Sequence, residues 1–178
     1  MESFKKYFNE RKKICIFDFD DTLCFTDSKI RLKHDDNWQE YSPKEFHKLN
    51  IAYTDTEHEL DFSDFQEIVK PRINSKVMNI FKKRILEKEN VIILTARGET
   101  EPVEKFIKSL GFANVQVFSS QDKGQFILDL IDKEKYNEVE YYDDHKNFIE
   151  DAKFVRSVRP KVLFNIFLID ENGTPHEV

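Results

Sequence analysis

Lys13-Ile14-Cys15-Ile16-Phe17-Asp18-Phe19-Asp20-Asp21-Thr22 is the stretch on which the reading of this chain turns. A short apolar run ends abruptly in a carboxylate, as a buried parallel strand does where it reaches the edge of its sheet. Four more apolar runs follow. Val91-Ile92-Ile93-Leu94 ends at Thr95, and Val115-Gln116-Val117-Phe118 ends at Ser119 and Ser120. Val139-Glu140-Tyr141-Tyr142 ends at Asp143 and Asp144, and a last run spans Val162 to Ile169. Helical spacing fills the gaps. Val77, Ile80, Phe81 and Ile85 precede the second strand, and Thr100 with Pro102 opens a helix that Gly111 closes. Phe126, Ile127, Leu130 and Ile131 mark a third helix, and Phe148, Ile149, Ala152 and Val155 a fourth.

Strands alternating with helices predict an α/β fold, a Rossmann-like doubly wound parallel sheet of about five strands with helices on both faces. Ligands of such sheets bind beyond the carboxyl ends of the strands, where Asp18, Thr95 and Asp143 all fall. The alternation lapses between Phe25 and Lys70, which hold no strong buried strand. Two helix starts do lie there: Ser42-Pro43-Lys44-Glu45, a capping box with proline at the first helical position, and a similar box at Ser63-Asp64-Phe65-Gln66. Residues 1–24 and 71–178 therefore read as a catalytic core and 25–70 as a small cap inserted after the first strand. The tail from Asp170 to Val178, with its Asn172-Gly173 turn, is expected to be peripheral.

Bulk properties narrow the class without choosing a function. A chain of 178 residues with 35% charged residues and mean hydropathy of -0.62 fits one domain with a solvated surface. No apolar run approaches the roughly 18 residues that a membrane span needs. Met1 to Lys13 is charged and lacks the apolar centre of a secretory signal, so a cytoplasmic location is expected. Cys15 and Cys24 are too few for a disulfide framework and lack metal-ligand spacing. The net charge of -6 argues against nonspecific coating of nucleic acid but leaves room for a local basic groove. Oligomeric state is open.

The chemistry lies at the strand ends. Asp18 and Asp20, two residues apart where the chain turns, can converge on one ligand and divide labour between nucleophile and proton shuttle. Thr95, with Ala96 and Arg97 beside it, offers a hydroxyl, backbone N–H groups and a cation for phosphoryl oxygens. Lys123 opens the helix before the fourth strand, where its ammonium could neutralise developing charge. Asp143-Asp144 adds the carboxylates of an all-oxygen site for a hard divalent cation. Each feature alone has an ordinary explanation: a strand-end turn, a helix cap, a surface charge. Their joint order along one sheet edge is what carries the reading.

In that order the chain resembles the haloacid dehalogenase-like superfamily, whose members carry D-x-D-x-T, then Thr or Ser, then Lys, then an acidic pair. The matching residues are Asp18-Phe19-Asp20-Asp21-Thr22, Thr95, Lys123 and Asp143-Asp144, spread over nearly the whole chain. The resemblance implies a Mg²⁺-dependent phosphatase. Asp18 would form an aspartyl-phosphate and Asp20 would act as general acid and base. Thr95 and Lys123 would stabilise the phosphoryl group, with Arg97 and Thr22 near the substrate. Mg²⁺ would be held by Asp18, by the backbone carbonyl of Asp20 and by Asp143, with Asp144 orienting a ligand or pairing with Lys123. Transport ATPases resembling this family have Thr in place of Asp20 and halide-removing enzymes lack the acid, so Asp20 favours phosphatases.

The implied partner is a phosphorylated small molecule or a nucleic-acid end, with no membrane. The pattern is similar to short phage- and virus-type members and, more distantly, to the phosphatase part of nucleic-acid end-repair enzymes. The insertion carries Trp38, Tyr41, Phe46, His47, Tyr53, Phe62 and Phe65, which could stack a nucleobase or form the insertion's own core. The basic segment from Lys29 to His34 is either a phosphate contact or a solvated face. A sugar-phosphate phosphatase and a non-enzymatic module that binds a phosphorylated partner remain the alternatives.

Overall fold

The computed structural model describes residues 11–49, 51 and 56–178, with His47 described by its backbone alone. Tyr53, the His47 side chain and the ten N-terminal residues, read above as free of a secretory signal, lie outside the described residues. In chain order the elements are β1 (Lys13–Phe17), β2 (Cys24–Phe25), β3 (Ile30–His34), β4 (Asn37–Tyr41), α1 (Pro43–His47) and β5 (Leu60–Asp61). A 3₁₀ turn at Ser63–Gln66 leads to β6 (Arg72–Ile73), α2 (Ser75–Leu86), β7 (Asn90–Thr95), α3 (Glu101–Ser109) and β8 (Gln116–Ser119). The rest is α4 (Lys123–Glu134), β9 (Glu138–Asp143), α5 (Lys146–Val158), β10 (Leu163–Ile169) and β11 (Pro175–Glu177). Among the described residues no helix is long and apolar enough to cross a membrane.

The molecule is a mixed α/β fold on a six-stranded, mostly parallel sheet of order β11-β10-β9-β1-β7-β8. The expected five strands are all present, and the count was one short. β11, in the tail expected to be peripheral, pairs antiparallel with β10 at the sheet edge. The pleat sorts β1 into two cores, because alternate side chains of a strand point to opposite faces. Cys15 and Phe17 pack with Val77, Met78 and Phe81 of α2 and with Val103 and Ile107 of α3. Ile14 and Ile16 pack with Ile127 and Ile131 of α4 and with Ile149, Ala152 and Val155 of α5.

One feature of this packing fixes the strand ends. Phe17 stacks on Tyr142 with ring centroids 4.5 Å apart, and Tyr142 stacks on Phe167 at the same distance. The three are register partners across β1, β9 and β10. Asp18 and Asp143, each one residue further on, are thereby brought to adjacent strand ends. A one-residue slip would place every one of these side chains on the wrong face.

Between β2 and β6 lies a small antiparallel sheet of order β4-β3-β5, where the sequence offered no strong strand. Only Ile30 and Leu32 of β3 are buried, so the apolar signal is two residues long. The Ser42 capping box forms as expected at the start of α1. The box at Ser63 does not. Asp61 captures the Ser63 N–H (2.8 Å), and a four-residue 3₁₀ turn stands in place of the expected helix.

Candidate active site

After β1 the chain turns back on itself. The Asp18 N–H still bonds to the Tyr142 carbonyl (2.9 Å), and then Leu23 and Cys24 both donate to the carbonyl of Phe19 (3.0 Å each). Asp21 sits at φ 56°, a left-handed conformation that short polar residues tolerate best after glycine. Asp18, Asp20 and Asp21 all line one cavity of about 300 Å³ at the carboxyl edge of the sheet. The loop is held from behind by Asn74, whose Nδ2 donates to the carbonyls of Thr22 (2.9 Å) and Gly173 (3.0 Å). Gly173 has φ +71°, and a Cβ there would stand 2.6 Å from Asn74 Nδ2, so no larger residue fits without displacing the clamp.

Lys123, the first residue of α4, is buried at 1% exposure. Its Nζ donates to Asp18 Oδ1 (2.6 Å) and to Asp143 Oδ2 (2.8 Å), and lies over the ring of Phe148. Burial opposes a charge on Lys123, but Asp143 and Asp18 outweigh it and hold its pKa above the ordinary lysine value. Asp143 also accepts from the Tyr141 hydroxyl (2.5 Å) and the His145 N–H (2.7 Å). The next carboxylates are less well compensated. Burial pushes the Asp18 carboxyl up against the pull of Lys123, and Asp143 and Asp20 add to the rise. Asp144 is raised as well, by burial and then by the charges of Asp143 and Asp18.

Asp18, Asp143 and Asp144 each present a carboxylate oxygen, all within 4.8 Å of one another. The buried ammonium of Lys123 bonds two of the three, and Asp144 has the half-exposed Lys44 at 3.7 Å, which leaves an excess of buried negative charge that a hard divalent cation would neutralise. All-oxygen donors with room for further ligands suit Mg²⁺. The Asp20 carboxylate is not part of this triad.

It turns instead to Arg97. Arg97 Nε and Nη2 donate to the two oxygens of Asp20 (2.7 Å each), and Thr26 adds a third bond (2.9 Å). The other arm of the guanidinium reaches the carbonyls of Phe65 (3.1 Å) and Glu67 (2.9 Å) in the inserted segment. Arg97, expected beside a substrate, lines the cavity yet directs its donors inward to Asp20 and the insertion. Thr95 is buried on the cavity wall, where its Oγ1 accepts from the Arg97 N–H (3.1 Å). Thr22 is also buried, but the structure does not bring its side chain to the cavity. Its Oγ1 has no hydrogen-bond partner among the described residues, and its carbonyl is the atom Asn74 grips.

Sequence reasoning missed Tyr141, Asn74, Lys44 and Phe148 as site residues. Tyr141 had a readable signal, since residues two apart on a strand share a face and Asp143 is two further on. Lys44 lies 3.7 Å from both Asp21 and Asp144, bridging α1 to the core, and nothing in a capping box announces that contact. No protein-family model matches this chain, and no curated protein matches it.

Proposed function

We propose that the protein is a Mg²⁺-dependent phosphomonoester hydrolase of the haloacid dehalogenase-like kind, working through an aspartyl-phosphate on Asp18. On this reading the sheet is a Rossmann-like, doubly wound core formed by 1–24 and 71–178, with 25–70 as its cap. The observation that carries it is the convergence of Asp18, Lys123, Asp143 and Asp144 on one cavity that Thr95 and Asp20 also line. Lys123 occupies Asp18 Oδ1, so the other carboxylate oxygen is the one that attacks phosphorus. The ester P–O bond breaks and Asp20 supplies the proton to the leaving oxygen. Asp20 then takes a proton from the water that hydrolyses the aspartyl-phosphate. Lys123 and the backbone around Thr95 hold the charge that builds on the phosphoryl oxygens. Asp18, Asp143 and Asp144, with the Asp20 carbonyl, would hold the Mg²⁺, which supplies charge neutralisation and orientation when bound. The substrates this reading admits are a nucleotide and a 3′-phosphorylated nucleic-acid end.

One observation favours the alternative of a phosphate-binding module: both oxygens of Asp20 are bonded to Arg97, so proton transfer needs that pair to open. Release of phosphate from an aryl phosphate, with Mg²⁺ and with chelator, separates the two. The hydrolase releases phosphate only with metal, and Asp18→Asn lowers the rate by about a thousandfold or more. A binding module releases none in either form.

A further inference from the structure

The cavity is lined by two unlike sets of residues. Beside the charged cluster around Asp18 and Lys123 stands an apolar set: Pro43, Phe62 and Phe65 from the insertion, with Ala96, Gly98 and Phe148 from the core. Phe65 is fixed in place, because the Arg97 guanidinium lies 5.0 Å from its ring centre and the Phe62 ring meets it edge to face at 6.3 Å. A wall of rings next to a phosphoryl site suits a leaving group with a planar ring, which stacks on it through dispersion and loses little entropy.

Beyond Phe62, Phe65 and Gly98 the cleft continues into an outer groove of about 520 Å³. Its lining among the described residues includes Trp38, Glu59, Asp61 and Glu99, and no lysine or arginine. The cations of β3 pair with these carboxylates: Lys33, which lies over the Trp38 ring, with Glu59 at 2.7 Å, and Arg31 with Asp61 at 3.4 Å as well as with Glu40 and Asp64 at 2.9 Å each. Sites that hold a single-stranded nucleic acid pair their aromatic platforms with a positive track for the phosphates. Here the cations of β3 that reach the groove are already matched by its carboxylates, so they form no net positive track. A second nucleotide extending from the cavity would have to compete with those carboxylates for a phosphodiester contact.

Resting on the phosphatase reading above, we infer that the substrate is a monomeric phosphomonoester whose leaving group carries a planar ring, of the size of a nucleoside. The ring lies against Phe62 and Phe65, and the outer groove, whose β3 cations are already paired, gives a polynucleotide end no positive track to follow.

The test is steady-state hydrolysis, with Mg²⁺, of adenosine monophosphate, glycerol phosphate, acetyl phosphate and a short oligonucleotide 3′-phosphate. Stacking on a ring wall is worth about 5- to 150-fold in binding. The nucleoside monophosphate should therefore exceed glycerol phosphate in kcat/KM by at least about tenfold, and the oligonucleotide should be the poorer of the two nucleic substrates. Phe62→Leu keeps apolar bulk and removes the ring, so it should lower the ratio of adenosine monophosphate to acetyl phosphate turnover by about tenfold, and Phe62→Tyr should restore it. Equal turnover of ringed and ringless substrates, with a ratio that Phe62→Leu leaves alone, overturns the inference while the phosphatase stands. Preference for the oligonucleotide overturns the exclusion of polynucleotides. No release from any of the four, acetyl phosphate included, removes the phosphatase reading itself and the inference with it.

Discussion

At one end of β1 and β9, Lys13 lies buried beside Glu138 and Glu140; at the other, Lys123 lies buried between Asp18 and Asp143. The residue types and the burial are alike, but the charge balance is not. At the first end Lys13 is joined by Arg84, which binds both oxygens of Glu140 (2.8 and 3.0 Å), and by Arg11, which binds both oxygens of Glu138. Three cations meet two buried carboxylates, and the more exposed Glu87, which also bonds Arg84 (2.9 Å), evens the count. Burial would raise both glutamates, yet Lys13, Arg84 and Arg11 hold them below the ordinary carboxylate range. At the second end Asp18 and Asp144 are raised instead. Lys44, a further cation that reaches this cluster, is 3.7 Å from Asp144 and 45% exposed. A buried lysine among acids therefore marks nothing by itself. A closed ion-pair network and an acidic cluster in excess of its cations differ in whether the charges balance and in whether the cluster opens on a cavity.

The largest effect should come from removing each lysine in turn. Lys123→Met leaves Asp18 and Asp143 without their ammonium and should cost about 3–5 kcal/mol of stability together with all phosphate release. Lys13→Met leaves Glu140 with Arg84 and Glu138 with Arg11, so its cost should be less than half of that, with turnover intact. Urea unfolding of both variants measures this, and equal losses would erase the distinction between the two ends.

Metal should sharpen it next. Mg²⁺ at a hundred times its Kd stabilises the folded state by about 2.7 kcal/mol. For a chain of this size that raises Tm by about 5–10 °C. The rise should vanish on chelation and in Asp143→Asn, and survive in Lys13→Met. A thermal melt of each protein with and without Mg²⁺ decides it.

Acid should separate the ends by sign, with the smallest effect. Glu138 and Glu140 have lowered pKa values, so their stabilisation is complete above the ordinary 4.5 and fades as pH falls through the lowered values. Asp18 and Asp144 are raised above the ordinary 3.8, so acidification relieves their repulsion and adds stability as pH falls through the raised values. Without metal, the urea midpoint should hold or rise from neutral pH towards pH 5 and then drop. Glu140→Gln should blunt the drop and leave the first part unchanged; a drop of the same depth in the variant would place the acid-sensitive groups elsewhere.

What the sequence revealed of this molecule follows its periodicities. The strands that bear the site are apolar runs cut off by polar residues, and burial on both faces writes that pattern directly. β11 escaped because a three-residue edge strand, one residue half-buried and two exposed, has no alternation to read. The Ser63 helix failed on a local competition that the capping pattern does not encode, since Asp61 reached the same N–H first. Within the site, the positions of Asp18, Thr95 and Asp143 came from strand ends. The depth of Lys123 did not, for a lysine at a helix start looks the same whether it is solvated or sealed. The grip of Arg97 on Asp20 spans 77 residues and arises only when β1 and β7 pair.

The Asn74 clamp has a consequence for the order in which the protein is made. A ribosome that has added Asp144 has completed every carboxylate of the site, and β1, β7, β8 and β9 are all synthesised. The loop that presents Asp18 is still held by Asn74 on one side only, because the second carbonyl in that clamp belongs to Gly173. The loop bearing Asp18 is therefore locked only when the turn between β10 and β11 is in place, so a hairpin at the far edge of the sheet completes the scaffold of a site it does not touch.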